Sequence, residues 1–69
     1  MSNHVYRLSE IVGSSPSSVD DAIRTAIAKA ARTVHNIEWF QTEEIRGQVV
    51  DGSVAHFQVR LKIGFRVDD

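Results

Sequence analysis

The side chains with most to offer a ligand are Trp39, Gln58, Arg46 and Arg66. Trp39 is the only tryptophan, and an indole presents a broad π face on which a planar molecule can stack. Standing where a helix gives way to a strand, it would serve equally well as an anchor packing the sheet end onto the helix. Gln58 carries a carboxamide that both donates and accepts hydrogen bonds. That suits a ring edge of alternating carbonyl and N–H groups, although an ordinary strand residue would simply be solvated. Arg46 and Arg66 share the strand parity of Gln58. A guanidinium fork fits anionic groups or subunit contacts. Pairing with Glu44 or with acids of a neighbouring subunit is the plainer role, worth little when exposed.

Covalent or acid–base catalysis finds less support. His, Ser and Asp are all present, but there is no nucleophile-elbow sequence and no glycine-rich phosphate loop after a strand. With no cysteine, the chain has no disulfide, thiolate metal site or thiol nucleophile. His4, His35 and His56 are too widely spaced for a local ligand pair. Gly13-Ser14-Ser15 precedes a helix start that could hold an anion, a weak signal because small residues are common there. Asp20-Asp21 and Glu43-Glu44 read as solvated charge.

These residues depend on a small set of elements. His4 to Val12 is rich in β-branched and aromatic residues and reads as a strand covered at least partly on both faces, ended by Gly13-Ser14-Ser15-Pro16. Ser17 and Ser18 are natural helix caps, and Ser18 with Asp21 forms a variant capping box. Val19, Ala22, Ile23, Ala26, Ile27, Ala30, Val34 and Ile37 then recur three and four apart, an apolar stripe whose alanines allow close approach to a sheet. Asp20 and Asp21 lie at the positive end of the helix dipole, with Arg32 and His35 near the negative end.

After Asn36 the period becomes two. Trp39 to Val50 reads as a second strand and Val54 to Val67 as a third, linked by Val50-Asp51-Gly52-Ser53. In the third, Ala55, Phe57, Val59, Leu61, Ile63 and Phe65 alternate with His56, Gln58, Arg60, Lys62 and Arg66, so register is strongly specified. Ile45, Gly47 and Val49 read as the core-facing set of the second strand. Matching their parity to the third strand calls for an odd loop or a bulge, and a three-residue loop with Gly52 left-handed is expected. Gly47 and Gly64 read as places where the ribbon bends around the helix. The fold class is α+β: one domain over residues 1–69, a β-α-β-β unit with a three-stranded antiparallel sheet wrapped around one amphipathic helix.

Sixty-nine residues is short for such a unit. Below roughly 70–80 residues one core seldom supplies more than about 3–5 kcal/mol. Without disulfides or structural metal, self-association is the remedy, and long strands with open edges favour it. A formal charge of −1 argues against a nucleic-acid partner. Met1-Ser2-Asn3-His4 is no signal-peptide start, and Arg24, Lys29 and Arg32 interrupt the apolar stripe, so a cytoplasmic chain without membrane contact is expected.

The ordered run of residues resembles the dodecins, small flavin-binding proteins that assemble as hollow homododecamers. The resemblance covers nearly the whole chain. It begins with Val5-Tyr6-Arg7-Leu8-Ser9-Glu10-Ile11-Val12-Gly13-Ser14-Ser15, then passes through the alanine-rich helix to Ile37-Glu38-Trp39-Phe40 and Ile45-Arg46-Gly47. Val50-Asp51-Gly52, Ala55-His56-Phe57-Gln58-Val59 and Lys62-Ile63-Gly64-Phe65-Arg66 complete it. The resemblance implies a shell built from trimers, with flavins bound in pairs at subunit junctions, each between its partner flavin and a tryptophan. Trp39 matches that tryptophan, and Gln58 the glutamine whose amide meets the flavin ring edge. Arg46 and Arg66 match arginines that bacterial members use around the site and the subunit contacts. The chain looks bacterial in type, so FMN is the expected cofactor. Riboflavin and FAD are alternatives, and coenzyme A is a further ligand that Lys29 and Arg32 could meet. The implied role is non-enzymatic storage and photoprotective sequestration of flavin. An oligomeric scaffold without a flavin site is the competing reading.

Overall fold

The computed structural model describes residues 3–67, so Met1 and Ser2 of the amino-terminal reading lie outside it. The chain runs β1 (Tyr6–Ser15), α1 (Val19–Ala30), β2 (Ile37–Val50) and β3 (Ser53–Arg66). The strands form one antiparallel sheet in the order β1-β3-β2, which leaves β1 and β2 at the edges. The expected β-α-β-β unit of the α+β class is therefore present.

The helix lies chiefly against β1 and β3. Ala22 and Ala26 are buried, and between them sits Gly13 of β1. A Cβ on Gly13 would overlap the Ala22 carbonyl and stand 2.8 Å from the Ala26 Cβ. Small residues on both elements bring helix and strand this close. Val59, Leu61 and Ile63 of β3 are fully buried beneath them, with Ile11, Val19, Ile23, Ile27 and Phe65 packed around. Each such aliphatic side chain contributes roughly 1.5–3 kcal/mol of burial.

Ser18 caps the helix by accepting the Asp21 N–H at 3.0 Å. The return half of the capping box is not made. Asp21 instead accepts from the buried Ser15 hydroxyl at 2.6 Å, and Ser15 Oγ accepts the Ser17 N–H at 2.9 Å. Ser15 belongs to β1, which continues through Gly13-Ser14-Ser15 past the expected stop, because those residues pair with Val59, Gln58 and Phe57. The helix covers β1 on one face only. Leu8 and Val12, on the face away from the helix, are exposed.

The helix ends at Ala30. Val34 and Ile37 pack on the core but lie beyond it, Ile37 as the first residue of β2. Asn36, at φ 64°, turns the chain into that strand, and its carbonyl accepts the Arg66 N–H at 3.0 Å. Asn is among the residues best suited to this left-handed conformation.

The hairpin loop has two residues. Val50 pairs with Ser53, and Asp51 and Gly52 both take positive φ (51° and 77°), as a type I′ turn requires. Gly52 is left-handed as expected, but the three-residue loop is not formed. A bulge in β3 between His56 and Val54 restores the parity instead. Further irregularities fall between Thr42 and Glu44 and between Ile37 and Trp39. Ile45, Gly47 and Val49 are consequently on the helix side but outside the core. They lie on a hairpin arm reaching beyond the helix, where Ile45, Val49, Val50 and Val54 are all exposed. The molecule is correspondingly elongated, 56 × 20 × 14 Å.

Candidate functional site

The sheet face away from the helix is the polar face. From β2 come Trp39 and Gln41, then, past the bulge, Glu44, Arg46 and Gln48. From β3 come His56, Gln58, Arg60, Lys62, Gly64 and Arg66, and from β1 come Tyr6, Leu8, Glu10 and Val12. Arg60 reaches Glu10 at 3.1 Å and Glu44 at 3.8 Å, tying the three strands together. Lys62 pairs with Glu43 at 3.2 Å, Arg66 with Glu38 and Arg46 with Glu44, both at 3.7 Å. Each of these four basic groups is thus offset locally by a carboxylate. Apart from Glu43, at 24% exposure, these side chains are well exposed, so such pairs are worth about 1 kcal/mol or less.

Trp39 stands at one end of this face. Its register partner is Gly64, and the indole lies over that glycine, filling the space a side chain would take. A Cβ on Gly64 would overlap Cδ2, Cε2 and Cζ2 of the ring. Gly64, which reads as a bend in the sequence, is the seat of the indole, and its position opposite Trp39 across the ladder is the signal that reveals it. The Tyr6 ring meets the indole edge-on, with centroids 4.8 Å apart and an interplanar angle of 66°. With one face on the glycine and 40% of the residue exposed, Trp39 keeps an outer surface for stacking. It packs on the sheet face opposite the helix, which disposes of a helix anchor.

Tyr6 and Glu38 are the two site residues that the sequence does not single out. The Tyr6 hydroxyl donates to Glu38 Oε1 at 3.0 Å, and the other carboxylate oxygen faces Arg66. Donating to the carboxylate raises the phenol above its ordinary pKa. Desolvation and the Glu38 charge add to this, and Arg66 opposes it.

Gln58 and Arg46 occupy the other end of the face. Arg46 Nε donates to Gln58 Oε1 at 3.2 Å, which engages the amide oxygen. Arg66 lies two residues from Gly64, at the Trp39 end. Gln58 lies six residues from Gly64, about 20 Å at the usual strand rise, well beyond a three-ring heterocycle. The fold therefore groups Trp39 with Arg66, and Gln58 with Arg46, but does not join the two groups within one chain.

There are two shallow clefts of about 300 and 290 Å3. One is formed by residues including Arg7, His35, Phe65 and the candidate residue Arg66, the other by Asp20, Ile23, Arg24 and Phe40. Neither contains Trp39 or Gln58, and neither contains Lys29 or Arg32, which are exposed. Among the described residues no cluster of three His, Cys, Asp or Glu side chains is placed to hold a metal, and no helix is long and apolar enough to cross a membrane.

A β-α-β-β unit with an exposed indole seated on a glycine of the central strand defines a small α+β binding module. Comparison with known proteins identifies its family. The sequence pattern of the family Dodecin matches residues 5–68. A dodecin from Thermus thermophilus is 38% identical over 65 residues, 94% of each chain. Its solved structures include single-residue variants at a tryptophan and at two arginines. The solved dodecin from Streptomyces davaonensis is 54% identical and superposes with a TM-score of 0.93, covering 99% of this chain and 100% of that one. The dodecin from Streptomyces coelicolor gives 51% identity and a TM-score of 0.93, covering 100% and 99%. The chain belongs to the dodecin family.

Proposed function

We propose that this chain is one subunit of a homododecameric shell, built from trimers in the cytoplasm, that stores and photoprotects flavin without catalysing a reaction on it. FMN is the proposed cofactor ahead of riboflavin and FAD, with coenzyme A as a further ligand. The observation that carries the reading is the exposed indole of Trp39 on its glycine seat, with the complementary amide of Gln58 about 20 Å away along the ladder. Each chain then offers two half-sites, and a flavin is gripped where the Trp39 end of one subunit meets the Gln58 end of another. Arg66 and Arg46 brace those ends.

The exposed apolar arm and the open edges of β1 and β2 support self-association, since a chain this small leaves few such surfaces uncovered without a partner. Stacking an aromatic base on an aromatic side chain is worth about 1–3 kcal/mol. A pair of flavins between two indoles repeats that contact. The same contact places an excited flavin against an electron-rich ring, which quenches its emission.

Titration of FMN fluorescence with flavin-free protein tests this directly. Quenching that saturates at a fixed flavin-to-subunit ratio is expected, and undiminished emission with excess protein would sink the reading in favour of a scaffold without a flavin site. Trp39→Ala is expected to keep the assembly and lose most of the quenching and affinity. Loss of the assembly instead would make the indole a structural anchor.

A further inference from the structure

We propose that Tyr6 and Glu38 form a proton-coupled electron relay behind Trp39, in which an indole oxidised by one electron is reduced by the Tyr6 phenol as the phenolic proton passes to Glu38. The geometry supplies each part. The phenol and indole rings are in edge contact at 4.8 Å between centroids, so an electron crosses no intervening medium. The phenolic proton already lies on a hydrogen bond to Glu38 Oε1 at 3.0 Å. A phenol yields its electron far more readily when the proton leaves with it, and a positioned carboxylate is the acceptor that step needs.

The step balances with the residues present. The indole radical cation gains one electron and becomes indole. The phenol loses that electron and its O–H bond and becomes the neutral phenoxyl radical. The Glu38 carboxylate gains the proton and becomes the acid. When the reduced flavin gives the electron it took back to Tyr6, the proton returns from Glu38, so no side chain is consumed. The groups facing Tyr6 are Glu38 from β2, Arg66 from β3 and the His4 ring at 6.4 Å on its own side of the sheet. Arg66 stands 3.7 Å from the far Glu38 oxygen and leaves Oε1 to the phenol. At rest Tyr6 keeps its proton, because the same hydrogen bond raises the phenol pKa.

The relay rests on the flavin reading only for the source of the oxidant, a photoexcited flavin stacked on Trp39. Its effect is to move the oxidising equivalent off Trp39 before the indole is damaged.

The test uses the assembled, flavin-free protein and azide radical generated by pulse radiolysis, which takes one electron from the indole and leaves as azide. With one tryptophan and one tyrosine in the chain, each radical absorption band has a single source. The tryptophanyl band is expected to decay as the tyrosyl band grows, at a rate independent of protein concentration and slower in D2O. Tyr6→Phe leaves the tryptophanyl radical long-lived. Glu38→Gln keeps a hydrogen-bond acceptor but takes no proton, and slows the transfer about a hundredfold. Absence of tyrosyl growth in the unaltered protein, or an unchanged rate in Glu38→Gln, overturns the relay. Since no flavin is present, neither result bears on whether flavin binds.

Discussion

Gly64→Ala is the substitution that most directly probes the seat of the indole. A methyl group at this position would overlap Cδ2, Cε2 and Cζ2 of Trp39, and the backbone beneath it belongs to the central strand, so the ring must yield. Trp39 is 40% exposed, which leaves about three-fifths of its surface buried. For a side chain that can bury about 150–250 Å2, this is about 90–150 Å2. At about 25 cal/mol per Å2, complete displacement would cost about 2–4 kcal/mol, an upper bound that partial re-seating and a compact unfolded chain both reduce. A stability loss of about 1–3 kcal/mol, the usual range for overpacking, is therefore expected, with the β-α-β-β fold retained. The ligand effect should be larger in proportion. An indole lifted from its shelf loses the face it offers for stacking, about 1–3 kcal/mol per ring, or about 5- to 150-fold in Kd. The assay is an FMN quenching titration beside the intrinsic Trp39 emission, which should shift as the ring becomes more hydrated. Wild-type FMN affinity together with unshifted Trp39 emission would refute the claim that Gly64 seats the indole.

The other predictions separate the parts of the molecule. Gly13→Ala drives a methyl group against the Ala22 carbonyl and the Ala26 Cβ, so the helix itself must move; a loss of about 1–3 kcal/mol or more is expected in urea unfolding. Ser18→Ala removes the acceptor of the Asp21 N–H and should cost about 1 kcal/mol by the same measurement, with FMN affinity unchanged. In an absorbance titration, the single tyrosine should ionise above its usual value of about 10, and Glu38→Gln should lower the midpoint. Because the folded-state pKa is the raised one, the associated stabilisation is fully present below about pH 10 and is lost as pH climbs through the folded value. Finally, assemblies mixed from Trp39→Ala and Gln58→Ala subunits should bind more FMN than either variant alone, as a site divided between chains requires.

The element order, the capped helix and the buried row on β3 are all legible in the sequence, for an identifiable reason. Val59, Leu61 and Ile63 alternate without interruption, and Ala22 and Ala26 fall one helical turn apart; both are local patterns with a single physical reading. The loop is not legible in the same way. Parity states that one residue has to be absorbed between β2 and β3, but a longer loop and a bulge absorb it equally well. Asp51-Gly52 favours the two-residue turn because both residues tolerate positive φ, and the extra residue then moves into β3. Ile45 and Val49 fall outside the expected core for a related reason. Periodicity reports which side of a strand a residue faces, whereas burial also requires something to cover that side, and the helix stops short of the arm.

At the candidate site the residue types are readable and their grouping is not. Trp39, Gln58, Arg46 and Arg66 all lie on one face, yet a face 14 residues long is far larger than a binding site. Only the register shows that Trp39 lies opposite Gly64 and Arg46 opposite Gln58, and so divides the four into two pairs. That division bears on why so small a chain carries an uncovered apolar arm. A ligand held wholly within one chain would need Trp39 and Gln58 within a ring's length of each other. The straight ladder of β3 forbids this, because its rise per residue is fixed by the backbone and no bulge of β3 lies between Gln58 and Gly64. Under the proposed function, the exposed arm is the surface that would bring a second chain's half-site within reach. On this reasoning, a substitution on the arm such as Val49→Asp should weaken FMN binding and subunit association together, although Val49 belongs to neither half-site.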